Sequence, residues 1–149
     1  MTMNDTLYGG WMQTANIWIA EFQEHTGIED YRKAFVAMRG TLHALRDRLP
    51  MQEAVDLAAQ LPMLFKGVFF DGWTPSGKPV KIRNETAFLE LVRKRLGPDA
   101  GLDPRTCVRG LIAVLTRHVT AGEMKDVVSV LPKDVVEIWR EQLPSYEAP

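Results

Sequence analysis

The sequence has a single cysteine, Cys107, in 149 residues. A lone thiol closes no internal disulfide and builds no structural zinc site by itself. It agrees with a reducing compartment. No run approaches the roughly 20 consecutive apolar residues that a membrane-crossing helix requires. The segment from Met1 to Trp11 lacks the basic start and apolar stretch of a secretory signal, so a cytoplasmic protein is expected. An excess of one charge sign is missing too. With 18 basic and 19 acidic residues the formal net charge is −1, so no global field draws in nucleic acid or an anionic membrane. There is no Gly-x-Gly-x-x-Gly, no phosphate-cradling loop, no Gly-x-Ser-x-Gly elbow and no His-Glu-x-x-His. Those absences weigh against the common enzyme classes. No stretch alternates apolar and polar residues as a half-buried strand does.

What the chain does have is an internal repeat, the feature to seek first. Arg39-Gly40 recurs as Arg109-Gly110, an offset of 70 residues. Leu42, Ala44 and Leu45 align with Ile112, Val114 and Leu115, and Leu61-Pro62 with Leu131-Pro132. Upstream, Trp18, Ile19, Phe22 and Gly27 align with Phe88, Leu89, Val92 and Gly97. The expected fold is all-α: a helical bundle of two pseudo-symmetric four-helix repeats, residues 14–73 and 84–143, joined by a loop over 74–83. The loop carries Pro75-Ser76-Gly77-Lys78-Pro79, which is turn chemistry. Residues 1–149 are read as one compact domain, long enough to bury a core without staples.

The helix signals recur with the repeat. Gly27 and Gly97 suit left-handed caps closing each first helix. Tyr31, Phe35, Met38, Leu42, Leu45 and Leu49 form one apolar stripe on the second. Asp103-Pro104 predicts a strong start for its counterpart. Thr120 and Glu123 have the spacing of a capping box, whereas the first unit has Pro50 in place of Thr120. Gly40 and Gly110 sit inside the long helices, where glycine costs about 0.5–1 kcal/mol relative to alanine. Recurrence at one repeat position predicts a close crossing of the two long helices at these glycines.

Three ordered blocks carry a family resemblance: His43-Ala-Leu-Arg-Asp-Arg-Leu-Pro50, Ala58-Ala-Gln-Leu-Pro-Met-Leu64 and Gly72-Trp-Thr-Pro-Ser-Gly-Lys-Pro-Val-Lys81. The chain closely resembles, from about Thr14 to Arg140, an uncharacterised prokaryotic family known as domain of unknown function 2267. The resemblance implies a small helical protein of bacteria. It implies no catalytic or ligand residues.

Several residue groups invite chemistry and read better as structure. Cys107 lies in the first turns of a helix, but His118 is too far along that helix to act as its base, so a buried structural thiol is expected. His43 lies four residues from both Arg39 and Asp47, which predicts a polar network on a helix surface. Glu53 with Asp56, and Glu123 with Asp126, are three apart and share a helix face. Together with Arg39 and Arg109 they are read as a structural polar network, each acidic pair meeting an arginine. No catalytic residue, metal ligand or cofactor is assigned. The basic residues Lys78, Lys81, Arg83, Arg93, Lys94 and Arg95 are read as a solvated face, which makes nucleic acid an unfavoured partner.

The segment Pro62–Trp73 is apolar nearly all round, so it serves as core or as a contact surface. Phe65, Phe69, Phe70 and Trp73, with Lys78 and Lys81 of the following loop, form the candidate interaction surface. The function expected is non-enzymatic: an interaction or scaffold module that self-associates or binds a protein partner. The alternative is a carrier of an apolar small molecule in a cavity between the two repeats.

Overall fold

A computed structural model describes residues 7–97 and 100–142. These residues form eight helices and no strand. They are α1 Gly9–Thr26, α2 Tyr31–Arg48, α3 Met51–Ala59, α4 Met63–Phe70, α5 Glu85–Leu96, α6 Pro104–His118, α7 Ala121–Ser129 and α8 Lys133–Gln142. The chain is an all-α helical bundle.

Local chemistry accounts for most helix ends. Gly27 follows α1 at φ 75°, a left-handed conformation that costs other residues more, and its N–H donates to the Gln23 carbonyl. Gly97 ends α5 at φ 94°. The Asp30 and Asp103 carboxylates accept from the N–H groups of Lys33 and Thr106, and so start α2 and α6. α3 begins behind Pro50 without a side-chain cap, whereas the Thr120 hydroxyl caps α7. Both ends of α3 and α7 are 70 residues apart, as are the ends of α2 and α6 and the starts of α4 and α8.

The two halves are interleaved. The most extensive helix pairings are α1 on α6 and α2 on α5. Each half thus lays its first helix against the second helix of the other. One contiguous core runs from Ala15 to Trp139. This pairing changes what the two helical glycines do. A Cβ on Gly40 would stand 2.8 Å from the Arg95 carbonyl oxygen of α5. On Gly110 it would stand 2.5 Å from Thr26 Cγ2 and 3.2 Å from the Phe22 ring, both on α1. Close approach is the reason for glycine at both positions, but the closest neighbours differ from those expected. Each glycine receives the first helix of the opposite half, not the other glycine.

The end of α4 is held by polar groups of α2. Arg46 and Asp47 are each 1% exposed. Arg46 Nη1 donates to the carbonyls of Phe69 and Asp71, both at 2.9 Å, and its Nε donates to Asp47 Oδ1. The other Asp47 oxygen accepts from Arg95 of α5. His43 Nε2 lies 2.6 Å from the Val68 carbonyl, which makes that nitrogen a donor. The terminal carbonyls of a helix lack intrahelical partners, and these side chains supply them. The Asp47 carbonyl accepts from Val80 N–H, and Arg48 Nε donates to the Ile82 carbonyl, so α2 also holds the connector. The expected surface strip of Arg39, His43 and Asp47 is thereby corrected. His43 and Asp47 point inward, and Arg39 lies over the Phe35 ring, 5.7 Å from its centroid. Burial holds the His43 pKa below its ordinary value, with the positive charges of Arg46 and Arg95 adding to the effect against the opposing Val68 carbonyl and Asp47.

Candidate functional site

The acidic pairs lie on facing helices, Glu53 and Asp56 on α3, Glu123 and Asp126 on α7. Neither expected arginine reaches them. Arg39 covers Phe35, and Arg109 donates to Glu141 at 2.5 Å on α8. The pairs meet each other instead. One carboxylate oxygen from each of Glu53, Asp56 and Glu123 lies within 4.8 Å of the other two. Glu123 is 8% exposed. Its Oε1 and that of Glu53 are buried and accept no hydrogen bond. Among the described residues none of the four acids forms an ion pair. Desolvation raises the Glu123 pKa to about 8, helped by the adjacent Glu53 carboxyl and the charges of Asp56 and Asp126.

A residue 60 positions before Thr120 explains why Glu123 is free for this cluster. In a capping box its carboxylate would return to the Thr120 N–H. Gln60, at the end of α3, takes that donor at 2.8 Å and gives its own amide N–H to the Thr120 hydroxyl. Only half of the expected box forms: the Thr120 hydroxyl still accepts from Glu123 N–H. The Gln60 link pins α3 to α7 and leaves the Glu123 side chain facing its like-charged neighbours.

The apolar candidate surface divides into two parts. Phe65 and Phe69 are 1% and 0% exposed and belong to the core, with Phe65 stacked on Trp18 at 5.9 Å. They are not available to a partner, which corrects their assignment to a contact surface. An i, i+4 pair of large aromatics on a short helix marks its inner face. Phe70 and Trp73 are half-buried and pack together at 5.3 Å. Lys78 is half-buried and Lys81 exposed. The open face of α4 is instead Met63 and Leu64, 49% and 40% exposed. With Trp11 and Met12 of α1 and Tyr31 of α2 they extend the apolar surface. Between these three helices lies a groove of about 400 Å³, walled by Met12, Ile19, Phe35, Leu64, Phe65 and Val68 among others. Its polar members are Asn16 and Tyr31, and the Tyr31 hydroxyl donates to Asn16. The groove belongs to the first half alone. Between the halves, next to Leu45 and Trp139, the free space is about 10 Å³, which holds no ligand.

Cys107 is buried, and desolvation with the charge of Asp103 raises its thiol to about 11 despite the Thr41 hydroxyl. A thiol so protonated is a poor nucleophile. His118 meets Glu21 at 2.7 Å and stacks on Trp18 at 4.8 Å, tying α6 to α1. The basic stretch is partly neutralised, since Arg95 pairs with Asp47 and Arg93 lies 3.7 Å from Glu90. No described helix is long and apolar enough to cross a membrane.

The sequence matches no curated protein. Residues 15–138 match the model of a family described as an uncharacterized conserved protein, DUF2267, and the chain belongs to that family.

Proposed function

We propose that the chain is a non-catalytic interaction module that works through the apolar face of its first half, first of all by self-association. One observation carries this reading: every large apolar side chain left exposed among the described residues falls between Leu7 and Leu64. Scattered apolar residues need no explanation, but Met12, Tyr31 and Leu64 gather at one groove, and a set so gathered has the character of a contact surface. Tyr31 and Trp11 are residue types favoured at interface centres. We read the two halves as pseudo-symmetric copies of one four-helix unit, of which only the first keeps this face. The lone buried thiol suits the bacterial cytoplasm.

Light scattering on the purified chain tests the proposal. The expected mass is a multiple of 16.9 kDa, returning to the monomer when Leu64→Lys and Met63→Lys are combined. A monomer at every concentration, in both proteins, overturns self-association. The groove supports a second reading, a carrier of an apolar small molecule, because about 400 Å³ with few polar walls falls in the usual range for such sites. Native mass spectrometry of gently purified protein separates the two. An added mass lost on Phe35→Trp, which fills the groove, favours the carrier.

A further inference from the structure

The carboxylate cluster between α3 and α7 is a structural liability as it stands. Three acidic oxygens, from Glu53, Asp56 and Glu123, crowd within 4.8 Å. Asp56 is exposed and accepts from Gln52 at 2.9 Å, and Glu53 is half-buried, but Glu123 is buried, and burying a carboxylate is expensive unless it is paired or bound to a cation. Here no basic side chain among the described residues pairs with them. A second observation is the Glu123 side chain itself. It is more than nine-tenths buried, it contributes an oxygen to the cluster, and its Oε1 has no hydrogen-bond partner. The fold also goes out of its way to leave it so, because Gln60 occupies the N–H that Glu123 would otherwise accept from.

We propose that Glu53, Asp56 and Glu123 bind a hard divalent cation of Ca²⁺ size, which bridges α3 to α7. The donor set is all oxygen, which suits Ca²⁺, Mg²⁺ or Mn²⁺ and excludes the soft-metal preference of thiolate sites. The number of carboxylates then discriminates. Ca²⁺ takes several carboxylates in a flexible geometry. Mg²⁺ gives up water reluctantly and is usually held by one or two. Three carboxylates converging within 4.8 Å of one another therefore favour an ion of Ca²⁺ size. Water completes the coordination. The bound ion replaces repulsion between two helices with a bridge, so it acts as a clamp across the two halves.

The test is thermal unfolding of the full chain, stripped with chelator, at pH 8 with Ca²⁺ or Mg²⁺ added. At tenfold excess over its dissociation constant, Ca²⁺ should raise Tm by roughly 3–6 °C. Equilibrium dialysis should find one Ca²⁺ per chain. Glu123→Gln should fold without metal, because it removes repulsion, and should lose the Ca²⁺ response. Asp56→Asn should weaken the response at least tenfold and serves if the first variant fails to fold. No Ca²⁺-dependent shift at millimolar ion overturns the proposal, as does a shift that survives both substitutions. An equal shift with Mg²⁺ overturns the size assignment.

Discussion

The two halves of the molecule share a helix order and differ in what they bury and what they expose. In the first, α2 carries His43, Arg46 and Asp47 into the interior, where they hold the carbonyl end of α4. The positions 70 residues later are Ala113, Thr116 and Arg117. Among the described residues none of these three anchors α8 in that way, and Trp139 of α8 itself fills the core. The surfaces divide the same way. Among the described residues, the exposed large apolar ones lie in the first half. In the second, α8 presents charges instead, with Arg105 and Arg109 meeting Glu141. A backbone plan set by caps and apolar stripes thus tolerates two unlike interiors and two unlike surfaces.

The sharpest way to break this comparison is to remove the buried ion pair. Asp47→Ala leaves Arg46 buried without its carboxylate, and such a loss costs about 3–5 kcal/mol. Thr116→Ala, at the position matching Arg46, should cost under about 1 kcal/mol. Denaturant unfolding of the two variants measures the gap; equal losses would mean that the anchor is not what distinguishes the halves.

The next comparison is between the two glycines. Gly40→Ala drives a methyl into the backbone of α5, whereas Gly110→Ala meets the side chains of Thr26 and Phe22. Overpacking costs about 1–3 kcal/mol. Gly40→Ala should sit at the upper end and Gly110→Ala at the lower, because a side chain yields more readily than a helix backbone.

The acidic cluster gives a pH dependence that both halves share. The Glu123 pKa is raised in the folded chain to about 8, so between the ordinary carboxylate range and that value the native state holds more protons than the unfolded one. Stability is then greatest at the acid end of this window and falls as pH rises through it. With chelator present, Tm of the wild-type chain should fall between pH 5 and 8, and Glu123→Gln should flatten that slope. The smallest effect on stability belongs to the apolar face. Leu64→Lys, on an exposed site, should change unfolding by no more than about 0.5 kcal/mol while weakening association. A large stability loss would reassign Leu64 to the core.

The helical class and the helix ends were legible in the residues. Gly27, Gly97, Asp103 and Thr120 act on backbone groups within three or four positions, so short-range pattern suffices. The acidic pairs and the recurring glycines were legible as special positions, but not their partners. Arg39 and Arg109 were expected opposite the acids because opposite charges attract. Helix packing instead turned α3 and α7 acid to acid and sent Arg109 to Glu141. Similarly, the aromatic run of α4 was visible, while its division into buried Phe65 and Phe69 and open Met63 and Leu64 depended on which face α1 and α2 covered.

Local sequence sets the helical class and most helix ends, because caps, prolines and apolar stripes act through local backbone geometry. Tertiary structure alone decided the pairing of α1 with α6 and α2 with α5, the burial of Arg46 and Asp47, and the meeting of Glu53 with Glu123. Those contacts join residues up to 97 positions apart, as His118 and Glu21 are. Their energies depend on the angle and register of packed helices, which no local window of residues contains.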